Sequence, residues 1–104
     1  MESIPEKDWK QLRAMQSEKL SVACERILET AEGIIKERAG NEHEAFLKLW
    51  VETNKGNREI AELFDDLRRS NAIFKLIAWR KNNLLSDAEL ALFTEETQQA
   101  LRCV

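Results

Sequence analysis

At 104 residues, with 43% hydrophobic and 34% charged side chains, three Gly and one Pro, the chain suits one folded domain over 1–104 and has little room for a second core. That composition excludes a disordered or fibrous chain, and a net charge of −3 excludes a whole-molecule field strong enough to gather nucleic acid or anionic lipid. The opening MESIPEKDWK is acidic where an export signal is basic, and uncharged stretches such as Ser70 to Phe74 fall far short of the roughly 20 apolar residues that cross a bilayer. Cys24 and Cys103 form no metal-spacing pair, so reduced thiols in a cytoplasmic protein are expected.

The first element predicted is a long helix over residues 5 to 39. Trp9, Leu12, Leu20, Ala23, Cys24, Ile27, Ala31 and Ile34 fall in one stripe when each residue advances 100°. Ser3 with Glu6 three residues later reads as a capping box, and Pro5 suits a first turn. Lys36 and Arg38 followed by Gly40 mark the end, where glycine permits a left-handed closing residue. Unbroken, such a helix is about 50 Å long; Gln16 and Ser17 are the expected place for a break.

Asn41 is placed to cap a short second helix in which Phe46, Leu47, Leu49, Trp50 and Val51 supply buried surface and Gly56 ends the element. A third, long helix is expected from Asn57 to about Lys81, with Ile60, Leu63, Phe64, Leu67, Phe74 and Ala78 in one stripe and Asn82 and Asn83 as its stop. Asn71 is then a polar residue at the centre of an apolar seam, partly buried and hydrogen-bonded. Leu85, Ser86, Glu89 and Leu90 give an N-cap, its reciprocal glutamate and a flanking apolar pair for a fourth helix. Thr94 is expected to cap a last turn or two through Leu101. Residues 1–4 and 102–104 are expected to fray. Neither strand periodicity nor a hairpin turn signal occurs. The predicted fold is all-α: a small helical bundle of two long antiparallel helices, one short connecting helix and a short C-terminal helical segment.

The segment from Arg68 to Lys81 holds five basic residues, Arg68, Arg69, Lys75, Arg80 and Lys81. A second reading breaks the chain at Ser70-Asn71 into a helix-turn-helix over 58–68 and 72–82 that binds nucleic acid through those cations. A recognition helix, however, shows polar side chains to base edges, whereas AIFKLIAWRKN shows Ile73, Phe74, Leu76, Ile77 and Trp79. The acidic Glu59, Glu62, Asp65 and Asp66 just before it also repel phosphate.

Other candidate chemistry has a plainer structural explanation. His43 shares a helix face with Phe46, Leu47 and Trp50 and fits the edge of a core better than a metal site; neither Glu-x-x-His nor HExxH occurs. Asp65 and Asp66 precede Arg69 at a spacing that favours ion pairs over general acid or base work. Cys24 lies within an apolar stripe, and Cys103 has no base near it. Trp9, Trp50 and Trp79 fall at core positions and suit anchoring. No catalytic, cofactor or metal residue is therefore expected.

The reading that remains is a non-catalytic helical protein acting through protein-protein interaction, as a homodimeric adaptor or regulator. Trp9, Leu12, Asn71, Ile73 and Leu76 are its expected interface residues. Nucleic-acid binding through 68–81 is the second reading, and a metal-binding or enzymatic protein the third.

Overall fold

The computed structural model describes residues 3–102 and is all-α, with no strand among the described residues. Two long helices, α1 (Glu6–Lys36) and α2 (Glu42–Phe64), form an antiparallel hairpin. A 3-10 turn at Arg69–Asn71 leads into α3 (Ala72–Lys81), and the chain closes with the single-turn α4 (Asp87–Leu90) and with α5 (Glu95–Arg102). The principal extents are 54 × 25 × 23 Å, and the radius of gyration is 16.8 Å against about 13 Å for a compact chain of this length. The excess comes from the hairpin, whose far half extends beyond the other helices.

α1 runs straight through Gln16 and Ser17. Pro5 occupies its N-cap position and no side chain caps it, so the Ser3–Glu6 box does not form. Glu6 instead accepts from Arg69 Nη1 at 2.8 Å. The helix ends at Lys36, and Gly40 (φ 82°) supplies the left-handed residue of the turn into α2. Asn41 precedes α2 without a side-chain cap bond; the Gly40 N–H donates to the Glu42 carboxylate at 3.1 Å.

The second expected boundary is corrected. Gly56 does not end a short helix; α2 continues across it to Phe64. Glycine inside a helix costs only about 1 kcal/mol relative to alanine, and here its missing side chain lets α1 approach: a Cβ at Gly56 would meet Ile27 Cδ1 at 2.7 Å. The second long rod is therefore residues 42–64, and the short helix is α3, which follows it. The expected helix 57–81 is broken between Phe64 and Arg69, where Asp66 takes a left-handed conformation (φ 54°). Asn71 holds that break together: its Oδ1 accepts from the Arg68 N–H at 2.9 Å and its Nδ2 donates to the Asp66 carbonyl at 2.8 Å. It is half-buried, with its amide oxygen and nitrogen each hydrogen-bonded within the chain, at the start of α3 and not in the middle of an apolar seam.

The core lies where α3, α4 and α5 pack on the open end of the hairpin. Leu12 and Met15 of α1, Leu63 and Phe64 of α2, and Ala72, Ile73, Leu76 and Trp79 bury together with Leu84, Leu85, Leu90, Phe93 and Leu101. Trp79 donates its indole N–H to the Leu63 carbonyl at 2.9 Å, satisfying one of the carbonyls that the end of α2 leaves free, and its ring tilts against Phe64 at 5.5 Å. Asn83 (φ 58°) closes α3, with Leu84 N–H returning to the Trp79 carbonyl. The Ser86–Glu89 capping box forms as the sequence predicts, at 3.1 and 3.0 Å.

Candidate functional site

Polar contacts fix these short helices to one side of α1. The Asp8 carboxylate is fully buried and accepts from the Thr94 N–H (2.9 Å), the Thr94 hydroxyl (2.6 Å) and the Thr97 hydroxyl (2.6 Å). Asp8 thus fixes from across the molecule the Thr94 that the sequence places at the start of α5, binding both its N–H and its hydroxyl. Lys19, buried on the same stripe, pairs with Glu89 at 2.5 Å. Burial pushes the Glu89 carboxyl up, but hydrogen bonds from Lys19 and from the Ser86 N–H and hydroxyl, with the Lys19 charge, outweigh it and leave the group below its ordinary value. Arg26 spans the carbonyls of Asn82 and Asn83 at 2.7 and 2.8 Å and so caps the end of α3.

Three of the expected interface residues are covered by the chain itself. Leu12, Ile73 and Leu76 lie in the core, because the break before Asn71 lets α3 turn and bury the side expected to remain open. Trp9 is half-buried against that core with Arg13 5.8 Å over its ring, and Asn71 binds the loop as described. Phe74, expected in the buried stripe, is exposed instead.

The basic residues of the second reading do not converge. Arg68 pairs with Asp66 at 2.5 Å; Arg69 donates to the Ile4 carbonyl and to Glu6; Lys75 donates to the Glu62 carbonyl at 2.6 Å. Arg80 binds the Leu85 carbonyl and Asp87, and Lys81 is exposed at the end of α3. α3 does follow a break, as the helix-turn-helix outline requires, but it places Ile73, Leu76 and Trp79 in the core. The expected pairing of Asp65 or Asp66 with Arg69 is replaced by Asp66–Arg68 and Glu6–Arg69.

The surface that stands out is on the far half of the hairpin. Phe46, Leu47, Trp50 and Val51, expected as the buried side of a short helix, are exposed; Phe46 is 64% and Trp50 62% accessible. Ala45, Leu49, Glu52, Gly56 and Ile60 occupy the α1 side of α2 and are partly or wholly buried. At 100° per residue the exposed group is centred roughly 150° from that side, so α1 cannot cover it. His43 is exposed on the same face. On α1, Leu28 (61%) and Ile35 (43%) are exposed as well. The Ile27–Gly56 contact sets the register and puts Ile35 level with the stretch from Phe46 to Trp50. Helical rotation then brings Leu28 and Ile35 to the same side of the hairpin as Phe46 and Trp50, roughly 180° around α1 from Asp8, Lys19 and Arg26. Two signals for this face were present in the sequence. Leu28 and Ile35 fall outside the predicted α1 stripe, and the apolar residues from Phe46 to Val51 span more of a helix than one neighbour buries.

On the opposite side, a groove of about 240 Å³ between α1 and α2 is lined by residues that include Ile27, Thr30, Glu52, Lys55, Gly56 and Glu59. Cys24 is a free, half-buried thiol, whereas Cys103 lies outside the described residues. Among the described residues no three His, Cys, Asp or Glu side chains gather as a metal site, and no helix is long and apolar enough to cross a membrane. No family model matches the chain, and comparison with curated proteins and with solved structures finds no match either.

Proposed function

We propose that this chain is a non-catalytic interaction module of a reducing, cytoplasmic compartment, in which the short helices anchor one end of a helical hairpin and its far half binds another polypeptide. The observation that carries the reading is the exposure of Phe46, Trp50, Leu28 and Ile35 together on one side of that half. Water-exposed aromatic and aliphatic groups gathered in one patch are costly to keep on a soluble protein and are a usual mark of a partner surface. Aromatic anchors of this kind carry most of the free energy at protein interfaces. The extended shape supports the same reading, since a helix pair without a third layer leaves its apolar residues uncovered.

The test is a photo-activatable amino acid placed at position 50 in the native cell, with position 62, exposed near the anchored end of α2, as control. The reading expects a discrete polypeptide adduct from position 50 and none from position 62. Equal, diffuse labelling from both positions would sink it.

A further inference from the structure

The size of the exposed patch, its position and the charges at its edges limit what covers it. Phe46, Trp50, Leu28 and Ile35 on this side, with Leu47 and Val51 at the outer edge of α2, together expose about 600 Å² of mostly apolar surface, given their accessibilities and the areas such side chains carry. Two such faces in contact remove about 1,200 Å², the lower bound for a specific and stable protein interface. A helical hairpin with one apolar side is also half of a four-helix bundle. The short helices sit on the other side of α1, bound through Asp8, Lys19 and Arg26, and leave the approach open along the length of the hairpin.

One pair of charges at the two edges of this face is complementary under a two-fold rotation, while Glu18 and Asp65, level nearer the anchored end, are alike. Glu25, exposed on the outer edge of α1, is level in the antiparallel register with Arg58, exposed on the outer edge of α2. The two point away from each other across the hairpin and cannot pair within one chain. A two-fold axis parallel to the hairpin sets α1 of one copy against α2 of the other and brings each Glu25 beside the opposite Arg58, twice. From this geometry, and resting on the interaction reading above, we infer that the occupant of the face is a second copy of this chain: two hairpins joined side to side as a four-helix bundle, with Phe46, Trp50, Leu28 and Ile35 at its centre and Glu25–Arg58 pairs at its margins.

Sedimentation equilibrium across micromolar concentrations tests this with four proteins. Wild type is expected at twice the 12.1 kDa chain mass. Phe46→Glu/Trp50→Glu is expected at the single-chain mass with an unchanged helical circular-dichroism spectrum. Arg58→Glu is expected to weaken the dimer about tenfold, since it turns two attractive edge pairs into repulsive ones, and Glu25→Arg/Arg58→Glu to restore it. Such rescue requires the two residues to meet between copies. A wild type that stays at 12.1 kDa, or a dimer unaffected by Phe46→Glu/Trp50→Glu, overturns the second copy. A failed charge-swap rescue overturns the two-fold arrangement proposed. A position-50 adduct with a different polypeptide would in the first case show that the interaction reading survives, and the lack of any adduct that it fails too.

Discussion

Gly56 on α2 lies so close to Ile27 on α1 that a β-carbon there would meet three atoms of the isoleucine within 2.7 to 3.0 Å, on both branches of its side chain. Rotating one branch away brings the other in, and a β-branched residue in a helix has few rotamers to use. Glycine to alanine inside a helix normally gains about 1 kcal/mol, but overpacking a fitted contact costs about 1–3 kcal/mol. Gly56→Ala is therefore expected to destabilise by about 1 kcal/mol, or roughly 4–8 °C in Tm. In an Ile27→Ala background the same change should stabilise. A thermal double-mutant cycle checks the change of sign; a stabilising Gly56→Ala in the wild type would show that the helices are not in contact here.

That contact also explains which boundaries were legible in the sequence. The all-α class, the extent of α1, the stop at Asn82-Asn83 and the Ser86–Glu89 box follow from local chemistry, and the sequence carries them. Whether Gly56 ends a helix does not, because it depends on Ile27, far away in the chain. The break after Phe64 has no proline or glycine to announce it; Asp66 and Asn71 make it with a left-handed residue and a side-chain amide bonded to backbone. Reading an unbroken helix through that stretch leaves Ile73 and Leu76 on a free surface, and ending a short helix at Gly56 puts Phe46 and Trp50 in a core, so segmentation and not periodicity conceals the candidate face.

Asp8 ties α1 to the start of α5, and it is expected to control whether α5 stays docked. Asp8→Ala removes the acceptor for three donors in a buried place and should cost about 2 kcal/mol. Asp8→Asn keeps one acceptor oxygen and should cost less. Hydrogen exchange gives the more specific readout: amides of Glu95–Arg102 should lose protection ahead of α2 in Asp8→Ala. Equal protection of α5 in wild type and variant would contradict the role given to Asp8.

The Lys19–Glu89 pair makes a prediction about acid. Glu89 has its folded-state pKa lowered, so its contribution is complete above the ordinary carboxyl value of about 4.3 and is lost as pH falls through the folded value. Glu89→Gln, which leaves the buried Lys19 ammonium only the exposed Glu18 carboxylate at 4.0 Å, should cost about 2 kcal/mol at neutral pH. The gap between wild type and variant in chemical denaturation should narrow below about pH 4. A gap independent of pH would mean that the pair is not ionised as described.

Duplex DNA should bind weakly and be released by moderate salt, since Arg68, Arg69, Lys75 and Arg80 point to different partners within the chain and, with the exposed Lys81, displace few counterions together. Fluorescence anisotropy with salt titration measures this. Replacing Arg69 with alanine should instead lower stability, through loss of its bonds to Ile4 and Glu6, with little change in that residual binding. Submicromolar, sequence-selective binding at physiological salt would put the helix-turn-helix reading ahead of protein-protein interaction.

The central claim is that Phe46 and Trp50 serve binding and not folding, and the Tm of Phe46→Glu/Trp50→Glu measured as a monomer, beside its loss of partner binding, tests that most directly. Side chains this exposed contribute little to the folded chain, and surface changes usually fall within about 0.5 kcal/mol each. A melting temperature within a few degrees of the monomeric wild type and an unchanged helical spectrum, with binding abolished, is the expected result. A variant that unfolds, or that retains full binding, would contradict it.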